Sequence, residues 1–135
     1  MRDQPWYILG LLGLTCLIRA GLAGYGYLEP VGLMAQLGAP LGSNPQMPYI
    51  VRVWAIRDIV IAVLVITATP QTIRKLVAAC IAIDLTDVMS AHLAGASGLF
   101  SASDTWSLKA TAIAALIPET IALLLILRRD IGKNA

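Results

Sequence analysis

Four stretches of mostly apolar residues, each long enough to cross a bilayer, divide this chain of 135 residues. They run from about Trp6 to Tyr27, Tyr49 to Thr69, Thr72 to Leu93 and Thr105 to Leu127. A membrane-crossing helix needs ~20 predominantly apolar residues. The pattern therefore predicts an all-α integral membrane four-helix bundle, with residues 1–135 forming one transmembrane domain. Pro70 and Gln71 leave only a short turn between the second and third helices. Gly95 to Ser103 is a Gly/Ser/Ala-rich connection, and Ser103 or Asp104 is placed to cap the fourth helix. The longest connection, about Leu28 to Pro48, holds Pro30, Pro40, Pro45 and Pro48 among Gly32, Gly38 and Gly42. Its apolar middle, Val31 to Leu37, predicts a short helix on or dipping into the membrane. A long non-spanning segment of this kind suits a lid or pocket wall.

Composition agrees with the membrane class: 58% of residues are hydrophobic, and the mean hydropathy is +0.76. The net charge of +2 says less than its distribution. Arg2, Arg74, Lys75, Arg128, Arg129 and Lys133 all fall on one side of a four-span arrangement, and the opposite loops contain no Lys or Arg. Basic residues concentrate on the cytoplasmic side. Both termini and the Pro70 turn are thus expected in the cytoplasm, with the long loop between helices one and two outside. The expected location is the plasma membrane, which for a bacterial chain is the inner membrane. Trp6, Tyr7, Tyr25, Tyr27, Tyr49, Trp54 and Trp106 lie near predicted interfaces, where amphipathic rings anchor.

Arg2 and the apolar run from Trp6 to Ile18 resemble the start of a signal peptide. The pattern continues to Tyr27, however, and Asp3 weakens the basic start, so a retained helix is expected. Cys16 and Cys80 lie inside apolar segments and read as small hydrophobes. No basic stripe or stacking pattern suggests nucleic-acid binding. Gly10, Gly13, Ala20 and Gly24 suit close helix packing and could equally serve a homo-dimer face.

Ionisable residues interrupt every apolar stretch: Arg19 in the first, Arg57 and Asp58 in the second, Asp84 and Asp87 in the third, Glu119 in the fourth. Such a group at bilayer depth costs several kcal/mol and survives paired, in a cavity, or in functional use. At ~1.5 Å of rise per residue, Arg19, Arg57, Asp58, Asp84 and Asp87 fall in one layer roughly 9 to 15 Å below the outer face. Glu119 lies somewhat deeper. Asp84 and Asp87 are three apart and share a helix face. Pro118 removes a backbone hydrogen bond near Ala114, kinking the helix beside Glu119. Two guanidinium groups and four carboxyl groups packed together cannot all be comfortably ionised, which is how a site holds an acid beside a base. Mutual neutralisation that fixes helix register is the bland alternative. The Asp84-x-x-Asp87 spacing could hold Mg²⁺ through a diphosphate, but no second acidic motif supports it, so neither metal nor cofactor is expected. His92, near the outer interface, reads as a solvated or capping residue.

The second apolar stretch reads Val53-Trp54-Ala55-Ile56-Arg57-Asp58-Ile59-Val60-Ile61-Ala62. An Arg-Asp pair in an apolar span after a Pro/Gly-rich loop resembles an uncharacterised family of small four-helix integral membrane proteins of bacteria and fungi. The stretch from Asp84 to Gly95 is similar as well. Some fungal members look like the membrane epoxide hydrolases of polyether polyketide pathways, and the resemblance implies epoxide opening by hydrolysis or cyclisation. Opening an epoxide needs an acid for the oxygen and a base for water or an internal hydroxyl. An unrelated soluble class, resembling limonene-epoxide hydrolase, uses two aspartates bridged by an arginine.

The expected catalytic set is Asp58, Asp84, Asp87 and Arg57, with Arg57 fixing the protonation of the carboxyls and Arg19 and Glu119 supporting. The expected partners are a lipophilic substrate and membrane lipid. Two other classes compete. A proton-coupled transporter would use an embedded carboxylate, although the first helix offers Arg19 in place of an acid. A non-catalytic protein binding a membrane partner or lipid would turn its charged residues outward.

Overall fold

The computed structural model describes residues 4–39, 42 and 44–134. Five helices form: α1 (Trp6–Leu28), α2 (Pro30–Gln36), α3 (Met47–Thr67), α4 (Ile73–Ala96) and α5 (Ala102–Asn134). This corrects the expected four-helix bundle. Three helices, α1, α4 and α5, are long and apolar enough to cross a membrane. The 21 residues of α3 include Arg52, Arg57 and Asp58, and that charge content keeps α3 out of the group. Placing both termini in the cytoplasm relied on an even number of spans, so it no longer follows. Arg2 and Asp3 lie outside the described residues, as does Pro40 of the long loop. That loop is itself partly helical, because α2 occupies its first half. With three helices of this kind the chain has the make-up of an integral membrane protein.

Each long helix turns one narrow stripe inward. On α3 the buried residues are Val51, Ala55, Asp58, Ala62 and Val65. On α1 they include Ile8, Leu12, Thr15, Arg19, Ala23 and Gly26. Steps of three and four residues keep such a stripe on one face. The outward faces are also apolar: Leu17, Val60, Leu85 and Leu124 are all half-exposed or more. A continuous apolar exterior of this extent marks contact with lipid or a partner rather than water.

α3 lies along α1 and α4 along α5, and α1 also packs on α5, whereas α3 and α4 meet only briefly. The space left between α3 and α4 is roofed by α2. Leu33 and Met34 of α2 are buried against Val51 of α3. Close approach to α1 depends on Gly26, where a Cβ would sit 2.7 Å from Leu33 Cδ2. Gly38, which follows α2, has φ +74°, a left-handed conformation open to glycine. Ser101 Oγ accepts the Asp104 N–H at 3.1 Å, so Ser101, rather than Ser103 or Asp104, caps α5. α5 continues through Pro118.

The interior divides into two ends. Ile8, Leu12, Val65, Ile73, Val77 and Ile126 form a closed apolar core. These residues precede Arg19 on α1 and Asp84 on α4, and follow Asp58 on α3 and Glu119 on α5. The core thus seals one side of the charged layer. The other side is open.

Candidate functional site

One residue from each long helix enters the charged layer: Arg19 from α1, Asp58 from α3, Asp84 from α4 and Glu119 from α5. Their relative exposures are 5%, 5%, 3% and 1%. Arg19 is the hub. Its Nε donates to Glu119 Oε1 at 3.0 Å, and its Nη2 donates to Asp84 Oδ1 at 2.7 Å. The same Nη2 reaches the Cys80 carbonyl at 3.3 Å. Nη1 donates to Asp58 Oδ1 at 3.4 Å, the loosest of the three carboxyl contacts. Charge-assisted bonds of this kind run about 2.7–2.9 Å at their strongest, so Asp84 is held tightest and Asp58 has most freedom.

Arg57 and Asp87 stand apart from this hub. Their side chains are 44% and 43% exposed, and they meet across the gap between α3 and α4 at 4.0 Å. Arg57 also approaches Asp58 Oδ1 at 3.5 Å. The guanidinium that joins the buried carboxyls is therefore Arg19, with Arg57 reaching Asp58 from the rim. Asp84 and Asp87 share a face only loosely: Asp84 lies on the buried stripe of α4 and Asp87 at its edge. His92 Nδ1 pairs with Lys109 Nζ at 3.2 Å on the exposed surface, linking α4 to α5.

Among the described residues, four buried side-chain polar atoms have no hydrogen-bond partner: Asp84 Oδ2, Glu119 Oε2 and Thr15 Oγ1 near this layer, and Thr105 Oγ1 elsewhere. The Asp84 and Glu119 carboxyl groups also interact with each other. One guanidinium stands among three carboxyl groups, so protons must balance the charge that remains in so dry a place. A proton lying between Asp84 and Glu119 would give both orphaned oxygens a role. Thr15, one turn from Arg19 on α1, extends the polar cluster and was not expected from the sequence. Its position four residues before Arg19 was the available signal, because residues four apart share a helix face.

Above this layer lies a cavity of about 430 Å³. Arg19, Asp58 and Asp84 form its floor, and Asp87 and Ser90 lie toward its rim. Leu22, Leu33, Leu37, Trp54, Phe100 and Leu108 supply apolar walls. The volume falls within the roughly 300–1,000 Å³ of small-molecule sites, and apolar walls with a few convergent polar groups are their usual make-up. Among the described residues, no group of three or more His, Cys, Asp or Glu side chains is arranged to hold a metal ion. No protein-family model, curated protein or solved structure matches this chain.

Proposed function

We propose that this protein is an integral membrane acid–base enzyme acting on a lipophilic small molecule, opening an epoxide by hydrolysis or cyclisation. The observation that carries the reading is the apolar cavity ending on Asp58 and Asp84, two carboxyl groups held apart by one guanidinium. One of the two donates its proton to the epoxide oxygen as the carbon–oxygen bond breaks. The other takes the proton of a water, or of an internal hydroxyl, as the new carbon–oxygen bond forms. Proton exchange between the carboxyl groups and water in the cavity then restores the starting state. Arg19 orients both groups, and Glu119 supports it from behind. The Arg57-Asp58 pair in its apolar segment resembles an uncharacterised family of small membrane proteins, some fungal members of which look like the membrane epoxide hydrolases of polyether pathways, and that resemblance suggests the reaction type. The plasma membrane is the proposed location.

Two observations weigh against the alternatives. The closed apolar core below Arg19 leaves the cavity one-ended, so a transporter would have to part these packed helices to open the site on the other side. Burial of Arg19, Asp58, Asp84 and Glu119 is opposite to the outward display that a non-catalytic binding protein would use.

The test is turnover. Purified protein in lipid nanodiscs, given lipophilic terminal epoxides, should release diols or cyclic ethers. Asp58→Asn and Asp84→Asn should each insert normally and lose that activity by about 10²-fold or more, the usual contribution of a general acid or base. Activity retained in both variants would remove the mechanism.

A further inference from the structure

We propose that the cavity selects an uncharged lipophile, seated with a hydrogen-bond-accepting oxygen on the Arg19 floor, and rejects chains bearing a charged head of either sign. The proposal rests on the enzyme reading for the identity of the site and goes beyond it in naming the ligand's charge.

Arg19 is the one guanidinium among the described residues lining the cavity. Four of its five N–H groups are already directed at acceptors: Glu119, Asp58, Asp84 and the Cys80 carbonyl. An anionic head would find no unclaimed cation there and would meet three carboxyl groups around the one it found. A cationic head fares no better. Asp84 Oδ2 and Glu119 Oε2 are buried, on carboxyl groups that Arg19 already holds through Oδ1 and Oε1, and Asp87 at the rim already faces Arg57 at 4.0 Å. Asp58 Oδ1 already faces guanidinium groups on both sides, from Arg19 and Arg57.

The floor is thus polar yet internally claimed. The walls around it are apolar, so a charged head brought down between them loses its water without gaining a counterion that is not already paired. A neutral oxygen meets no such penalty and can take the N–H that Arg19 has left.

Trp54 makes the selection measurable. It lines the cavity, while the other two tryptophans, Trp6 and Trp106, are 83% and 67% exposed and lie off it. In a Trp6→Phe/Trp106→Phe variant reconstituted in nanodiscs, fluorescence reports Trp54 alone. Four probes share one ω-bromoundecyl chain, whose bromine quenches nearby indole: the alcohol, its tert-butyl ether as a neutral head of larger bulk, the sulfonate and the trimethylammonium salt.

The alcohol and ether should quench Trp54 saturably, and the two permanently charged probes should bind about tenfold more weakly or worse at equal membrane concentration. A cavity-filling Ala112→Phe change should abolish the saturable component for the neutral probes. Equal or tighter binding of the sulfonate overturns the proposal. Tighter binding of the trimethylammonium salt also overturns it and points to cation transport. Absence of saturable quenching by any probe overturns it too. Neutral probes that bind while epoxides are not turned over would leave this selection standing and sink the enzyme reading instead.

Discussion

Two arginines of similar sequence setting have opposite physical situations here. Arg19 is buried with three carboxyl groups on its nitrogens, and Arg57 is 44% exposed beside Asp58 and Asp87. Removing one partner of a buried ionic group strands the others, at a cost of about 3–5 kcal/mol. Arg19→Gln is therefore expected to lower thermal stability in detergent steeply. Exposed pairs contribute about 0–1 kcal/mol, so Arg57→Gln should unfold close to the parent temperature. Equal losses in the two variants would contradict the assignment of Arg19 as hub.

Gly26 and Gly24 make a second contrast, at the level of single helix positions. A Cβ at Gly26 meets Leu33 of α2, whereas one at Gly24 meets nothing within 4 Å. Gly26→Ala should loosen α2 and cost about 1–3 kcal/mol through overpacking. Gly24→Ala should be neutral or gain up to about 1 kcal/mol from helix propensity. Thermal unfolding of both variants checks the pair, and a neutral Gly26→Ala would mean that α2 does not need its close seat on α1.

The division between hub and rim was partly written in the sequence at the scale of the helix. Ala55 and Ala62 flank Asp58 at steps of three and four, and Cys80 precedes Asp84 by four. Ala115 and Ala122 bracket Glu119 in the same way. Small residues at helical spacing let backbones approach, so an ionisable residue between two of them faces the interior. Arg57 falls off these stripes, whereas Asp87, three residues after Asp84 and four before Ala91, lies on the stripe of α4 by spacing and is left part-exposed where α3 and α4 barely meet; neither spacing nor depth along the helix could separate it from Asp84. The spans were legible because lipid demands long apolar runs. The membrane standing of α3 was not, because hydropathy summed over a window weighs Arg52, Arg57 and Asp58 alike whether they face inward or outward. α2 was legible as a short apolar helix, but its seat over the cavity depends on Gly26 and Leu33 meeting across two helices. That contact leaves no local pattern.

Taken as a whole, the molecule is closed at one end and open at the other. Ile8, Leu12, Val77 and Ile126 seal the space below Arg19, and the cavity lies above it, where α3 and α4 barely touch. Access should therefore be one-ended. In a Cys16→Ala/Cys80→Ala background, Ser90→Cys at the rim should react quickly with a maleimide and be protected by a bound lipophile. Val77→Cys in the sealed core should not react in the folded protein. Labelling of Val77→Cys at the rate seen for Ser90→Cys would mean a through-path, favouring transport over catalysis.

The arrangement holds together only if one guanidinium and its carboxyl groups act as a unit. A double-mutant cycle on Arg19→Gln and Asp84→Asn, read by unfolding free energy in detergent, addresses that most directly. The account predicts that the double variant is more stable than the sum of the single losses requires, by about 1–3 kcal/mol, because removing the cation together with one of its three carboxylates strands less charge than removing the cation alone. Additive losses within about 0.5 kcal/mol would show that the two side chains do not share a site, and the reading of the cavity floor would fall with them.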